Sequence, residues 1–221
     1  GRWDAGTYAR WINRHLRDYH RNPAIHASNA EIQEQFWTHR DTVGEVAYQR
    51  GLLLGLRWHR RARDSGVSEG VDRWLRALVQ RARAGGPKLT NELLRATGSE
   101  ALGPWFAGEF DRFVTAAETV EVPQNALEPL LTGRLCDVYE YDLGFDRERS
   151  LSEMRVRGLS SDSAAARAGL REGDELVGWN IYGDADRLSR LQIRRGQRIE
   201  TISFYPRGRK HTLVQFSPGS R

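Results

Sequence analysis

The apolar residues of this chain change their spacing once along its length. Before about residue 115 they recur every 3.6 residues, and after Gly133 they recur every second residue. One stretch cannot satisfy both patterns, because a period of 2 sends alternate side chains to opposite faces while 3.6 gathers them in a stripe. The sequence therefore predicts an α+β chain of two parts. An all-α helical bundle occupies 1–133, its end from about 116 a linker, and a small β-rich domain occupies 134–219.

The helical stripes are explicit. Tyr8, Trp11, Ile12, His15, Leu16 and Tyr19 fall on one face, and Arg21-Asn22-Pro23 ends the run. Ser28-Asn29-Ala30-Glu31 is a capping box opening a second helix that buries Ile32 and Phe36. A third helix is expected over 43–63. A fourth, capped by Ser68, carries Val71, Trp74, Leu75, Leu78 and Val79 and breaks at Gly85-Gly86-Pro87. Thr90 caps a short fifth that stops at Gly98, and Ser99 caps a sixth with Leu102, Trp105, Phe106, Phe110 and Phe113. Around Pro123 and Pro129 the pattern fades into the linker, which still holds apolar Val120, Val122, Leu127 and Leu130. Beyond it, strands are expected at 138–141, 152–157, 175–181, 199–205 and 211–216, the last two joined as a hairpin through 206–209. Short helices are expected at 163–168 and 185–193, the second with Leu188 and Leu191 inward.

Composition removes several classes. The longest apolar candidate, 43–56, contains Glu45, Gln49 and Arg50, so no membrane span is expected. Cys136 is the only cysteine, which excludes an internal disulfide framework and a cysteine-based zinc cluster. It does not fix the compartment; the reading leans to a periplasmic or secreted protein, with the cytoplasm left open. The single methionine is Met154 and position 1 is glycine, so the chain is expected to be processed or part of something longer. All but Lys88 and Lys210 of the 34 basic residues are arginine, a bias that reads as a GC-rich genome. Over 57–83 eight arginines face three acids, an excess of five that equals the net charge of the whole chain. A phosphate-binding patch would use them, but no reader motif or interleaved exposed aromatics accompany them. The pattern reads as solvated helix faces, with no nucleic-acid partner. None of the six histidines is followed by Glu and no two are four apart, so no His-Glu-x-x-His zinc site can be written and no metal ligand is assigned.

The stretch from Ser163 through Ala168-Gly169-Leu170 to Gly173-Asp174 is the most specific in the chain. Ser163 suits a helix N-cap, Gly169 the left-handed residue that ends the helix, and Leu170 the apolar contact after it. It resembles the Ala-Gly-Leu-x-x-Gly-Asp signature of PDZ domains, especially those of bacterial proteases. The resemblance covers about 134–219. PDZ domains bind an extended peptide as an added strand and meet its carboxylate with backbone N–H groups of a loop. The resemblance puts that loop at Asp142, Leu143, Gly144 and Phe145, the strand at Met154 and Val156, and the opposite wall at Leu188. Asp142 stands where the family has glycine, and its charge opposes a carboxylate. The residues alone also allow Leu143 and Phe145 to be core and Gly144 a bend.

Glu45-Val46-Ala47-Tyr48-Gln49-Arg50-Gly51 opens the third helix, and Gly51 and Gly55 share the face of Tyr48. Two glycines in a helix each cost about 1 kcal/mol against alanine, so a reason is expected. They permit close approach by another helix or by a substrate backbone. The segment resembles the Tyr-x-[Lys/Arg]-Gly motif of zinc aminopeptidases with a thermolysin-like fold. Asn22-Pro23, Ser28-Asn29, Phe36-Trp37, Thr97-Gly98, Trp105-Phe106 and 110–114 fit in order around it. With a PDZ domain following, the whole is similar to the C-terminal half of the glycyl aminopeptidase family.

That resemblance implies a bacterial metallopeptidase fragment. The zinc ligands belong to the parent and precede this stretch, so the chain alone is expected to be inactive and to hold no cofactor. Tyr48 would be the catalytic phenol, peptides the substrate, and the PDZ domain a docking element for peptide or for the parent itself. The alternative is a non-catalytic helical–PDZ adaptor that binds protein tails or strands.

Overall fold

The computed structural model describes residues 3–219. The chain divides into two compact units. One comprises the chain through Cys136 together with the stretch from Leu213, and the other spans Asp137–Thr212. Among the described residues no helix is long and apolar enough to cross a membrane.

The helical unit begins with α1 (Ala5–Arg21), capped by the Asp4 carboxylate, which accepts from the Thr7 N–H. Its predicted stripe is buried as expected at Ile12, Leu16 and Tyr19. α2 (Asn29–Gln35) carries the predicted capping box, with Ser28 and Glu31 bonding reciprocally. A π-helical turn at Arg40–Gly44 leads into α3 (Glu45–Asp64), the longest helix of the described residues. Then follow α4 (Asp72–Arg83), α5 (Asn91–Leu102) and α6 (Trp105–Phe110), with a second π-helical turn at Asp111–Thr115. Tyr19, Leu53, Trp58, Phe106, Val120 and Leu131 are buried in one core. The linker is packed: the Val120 N–H donates to the Tyr19 hydroxyl at 3.0 Å, in the interior.

Three helix boundaries differ from the sequence expectation; one is that Ser99 caps no helix but lies inside α5, its hydroxyl donating to the Arg95 carbonyl, and α6 follows Pro104. Ser68 does not cap α4; Gly70, at φ +59°, turns the chain over the His59 ring, and the helix starts at Asp72. α5 does not stop at Gly98. That glycine is buried inside the helix, where the Phe106 ring occupies the place a Cβ would take. Gly103, at φ +116°, ends the helix instead.

The strands are β1 (Leu131–Tyr141), β2 (Glu175–Asn180), β3 (Ser189–Arg195), β4 (Arg198–Phe204) and β5 (Arg207–Pro218). They form two small sheets, a β1–β5 pair and an antiparallel β2–β3–β4 meander. In the helical unit, Gly133 of β1 lies so close to Val214 and Phe216 of β5 that a Cβ would come within 2.9 Å of both side chains. The second unit also holds α7 (Arg147–Glu153) and α8 (Ala164–Arg167). Its core gathers Leu143, Phe145, Val156, Leu170, Leu176, Leu191, Ile193 and Phe204.

Three expectations for this unit are corrected. Residues 152–157 are not a strand. Asp146 caps α7 by accepting from the Arg149 N–H, the helix runs to Glu153, and Met154 ends it in the left-handed region at φ 51°. Residues 185–193 are not a helix. From Ser189 the side chains alternate, with Ser189, Leu191 and Ile193 inward and Arg190, Gln192 and Arg194 outward, which is a strand. β4 and β5 are not a hairpin, since β4 pairs with β3 and β5 with β1.

Candidate functional site

α3 buries one face along its length. Val46, Leu53, Leu54, Trp58 and Ala62 enter the core. Tyr48 points the other way and is 68% exposed. Gly51 and Gly55 share its face, and a Cβ built on either would meet no heavy atom within 4 Å. Close packing by another helix of the described residues is therefore not why these positions are glycine. The face is open, with a floor of bare backbone beside the phenol.

One wall stands beside that floor. Phe36, at the end of α2, lies 6.0 Å from the Tyr48 ring between centroids, and Trp37 packs edge-on against Phe36 at 4.9 Å. Trp37 is 78% exposed. Among the described residues the Tyr48 hydroxyl has no hydrogen-bond partner. A phenol held this way can donate its proton to an acceptor that arrives on the open face.

The next two residues are anchors. Gln49 is buried and its Oε1 accepts from Asn22 Nδ2, which also donates to the Thr42 carbonyl. Arg50 is 4% exposed, and its Nη2 donates to the carbonyls of Ile25 and Ala27, each at 2.9 Å. Tyr-Gln-Arg thus alternates one outward functional group with two inward fasteners.

Most of the arginine excess is absorbed internally. Arg57 forks onto the buried Glu109 carboxylate at 2.7 and 2.9 Å, and Arg61 bonds the same carboxylate. Burial pushes the Glu109 carboxyl up, but the bonds and charges of Arg57 and Arg61 outweigh it and hold it below its usual range. Arg60 pairs with Asp64, Arg76 with Glu69 and Arg81 with Glu100. Sequence reasoning missed Glu109 because its partners lie about fifty residues away and no local pattern marks it.

The described residues contain no group of three or more His, Cys, Asp or Glu side chains placed to hold a metal ion. The described residues therefore do not form a zinc site of their own.

In the second unit the expected peptide-binding residues lie in different settings. Leu143 and Phe145 are core side chains. Gly144, at φ +80°, has Ser163 where a Cβ would go, and its N–H is taken by the Asp142 carboxylate at 2.8 Å. Val156 is fully buried, its N–H bonded to the Asp174 carbonyl and its carbonyl accepting from Gly173. Met154 is exposed at the end of α7, and Leu188 directly precedes β3. The predicted strand and wall helix are both absent, for the reasons given above. The Ala-Gly-Leu turn itself forms as expected. Ser163 caps α8, Gly169 takes φ +98°, and Leu170 is buried. Asp174 then receives a forked bond from Arg195 at 2.9 and 2.6 Å and another from the Arg171 N–H. Burial pushes its carboxyl up, yet these bonds outweigh burial and leave it below the usual carboxylate range.

No protein-family model matches the chain, and no curated protein matches it significantly.

Proposed function

We propose that this chain is the helical C-terminal part of the catalytic domain of a zinc metallo-aminopeptidase, followed by a PDZ-related module, with Tyr48 as its catalytic phenol. The observation that supports this most is the bare Tyr48 hydroxyl on an open, glycine-floored helix face, held there by two buried neighbours. A peptide backbone can lie against glycine where it could not lie against a side chain. A phenol donor aimed at the oxygen that gains charge in the tetrahedral intermediate stabilises the transition state more than the ground state. Zinc belongs to the resemblance alone, since among the described residues no group of three or more His, Cys, Asp or Glu side chains is placed to hold it. The second unit keeps the PDZ-type turn but uses its loop donor internally, which favours docking within the parent over capture of free carboxyl termini. The adaptor reading needs a peptide groove in that unit, and no observation there favours it.

The test is the full-length gene product assayed on glycyl and alanyl p-nitroanilides. Chelator-sensitive hydrolysis is expected, with Tyr48→Phe lowering kcat about 10²–10³-fold, the size of losing one oxyanion donor. An unchanged kcat would remove Tyr48 from catalysis. Chelator-sensitive activity of the purified 221-residue chain would overturn the fragment reading.

A further inference from the structure

We propose that Arg50 is a positioning residue that sets the aromatic wall beside Tyr48. The inference rests on the catalytic reading of Tyr48 and adds a second residue to that site. Arg50 is an expensive choice for an interior position. Among the described residues no carboxylate lies within ion-pair distance of it, and its Nε and Nη1 are buried without an acceptor. A buried charge lacking a counterion is a liability that an apolar residue of similar length would avoid. What the guanidinium does make is specific. One nitrogen, Nη2, bridges the carbonyls of Ile25 and Ala27, the last turn of chain before the Ser28 cap of α2.

The geometry that follows explains why that bridge matters to Tyr48. α2 buries no residue fully and meets the core through the half-buried Ile32, so its own packing fixes it weakly. Its far end carries Phe36 and Trp37, the wall at Tyr48. From there the chain returns to α3 through the π-helical turn, where the Phe36 carbonyl lies 3.2 Å from the place of a Gly44 Cβ. The excursion over 28–44 is therefore held at two ends. One end is its covalent entry into α3. The other is the 22–27 loop, fastened to α3 by Arg50 and by the Asn22–Gln49 bond. Arg50 and Tyr48 lie on opposite sides of one helix, so Arg50 reaches the site only through that loop and α2.

Two measurements test this. Hydrogen exchange of the 221-residue chain reads the wall directly: Arg50→Met is expected to speed exchange over 32–37 about tenfold while 53–58 keeps its rate. In the full-length enzyme Arg50→Met is expected to lower kcat about tenfold, as a small misplacement does, with KM changed less than twofold. The same substitution in a Tyr48→Phe background should cost nothing further. Arg50→Lys, whose single ammonium can still span two carbonyls, should show smaller effects, and it carries the same readings if Arg50→Met does not fold. Unchanged exchange over 32–37, or a loss that adds to that of Tyr48→Phe, overturns the proposal. A wild-type kcat in Tyr48→Phe defeats the catalytic reading instead, and the exchange result alone then decides whether Arg50 positions the wall.

Discussion

Gly51 and Gly55 allow the open face of α3 to be tested on the chain by itself. Both are interior to a 20-residue helix, and neither has a heavy atom within 4 Å of the place a Cβ would take. Replacing each by alanine therefore adds no clash and removes only the glycine penalty of about 1 kcal/mol per site, so the pair should gain about 2 kcal/mol. For a domain of this size that corresponds to a Tm rise of about 4–8 °C. Gly98 supplies the control. It too lies inside a helix, but an added methyl there would overlap the Phe106 ring in the core. Overpacking of about 1–3 kcal/mol exceeds the helix-propensity gain, so Gly98→Ala should lower Tm.

The assay is thermal unfolding of the double and single variants, followed by far-UV circular dichroism. The same substitution should thus shift the helical transition upward at two positions and downward at the third. A destabilised Gly51→Ala/Gly55→Ala chain would mean that something packs on the face, and the open-groove argument for Tyr48 would fail with it. Under the proposed peptidase reading, the double variant of the full-length protein should bind peptide substrates more weakly although it is more stable, because two methyl groups would stand where a backbone is expected to lie.

Other consequences follow from single contacts. Tyr19→Phe leaves the Val120 N–H buried without its acceptor and should cost about 1–3 kcal/mol in urea denaturation. Glu109→Gln removes the shared partner of Arg57 and Arg61; because both arginines keep some solvent contact, the loss should be about 2 kcal/mol, below that of a fully buried pair. The Glu109 and Asp174 carboxyls are held below their unfolded values, so their stabilisation is complete above those values, near pH 4–5, and is lost as pH falls through the lower folded ones. Asp174→Asn should accordingly flatten the acid limb of stability measured by denaturation between pH 5 and pH 2, and an unchanged limb would contradict the assignment. Asp142→Ala frees the Gly144 N–H, yet with Val156 bonded on both sides calorimetry should detect no new affinity for carboxyl-terminal peptides.

The elements legible in the sequence were those whose signals are local. The α1 stripe, the Ser28–Glu31 box and the Ser163–Leu170 turn each complete their hydrogen bonds or contacts within a few residues, and each forms as read. The misread elements turned on partners distant in sequence. Gly98 looks like a stop signal, and only the arrival of Phe106 shows it to be a packing site. The 185–193 stretch places Leu188 and Leu191 at helical spacing and Leu191 and Ile193 at strand spacing, so a short run permits either, and pairing with β2 and β4 decides it. α7 is the exception, since its signal is local: Asp146 is a helix cap, and it outweighs the apolar alternation after it. At the candidate site Tyr48 and its glycines were legible from their spacing. That Gln49 and Arg50 turn inward, and that Phe36 and Trp37 stand beside the phenol, depends on how the 22–44 excursion closes back on α3.

Several costs of the helical unit fall on one stretch of α3, and their juxtaposition argues for a site more strongly than any single residue. Within 48–55 stand an exposed tyrosine ring, two helix glycines at about 1 kcal/mol each, and an arginine with two buried N–H-bearing nitrogens lacking acceptors, at about 1–3 kcal/mol each. Elsewhere in the unit some residues of the same kinds are accommodated, since Gly98 seats Phe106, Gly133 lets β1 approach β5, and Arg57 is matched by Glu109, while Gly108 in α6 and the buried nitrogens of Trp58, Trp74 and Trp105 carry similar costs singly. A stretch selected only for stability would carry alanine at 51 and 55 and an apolar side chain at 50. Local rules broken together, on one helix, with the open face on one side and its fastening on the other, are what a functional site leaves in an otherwise consistent fold.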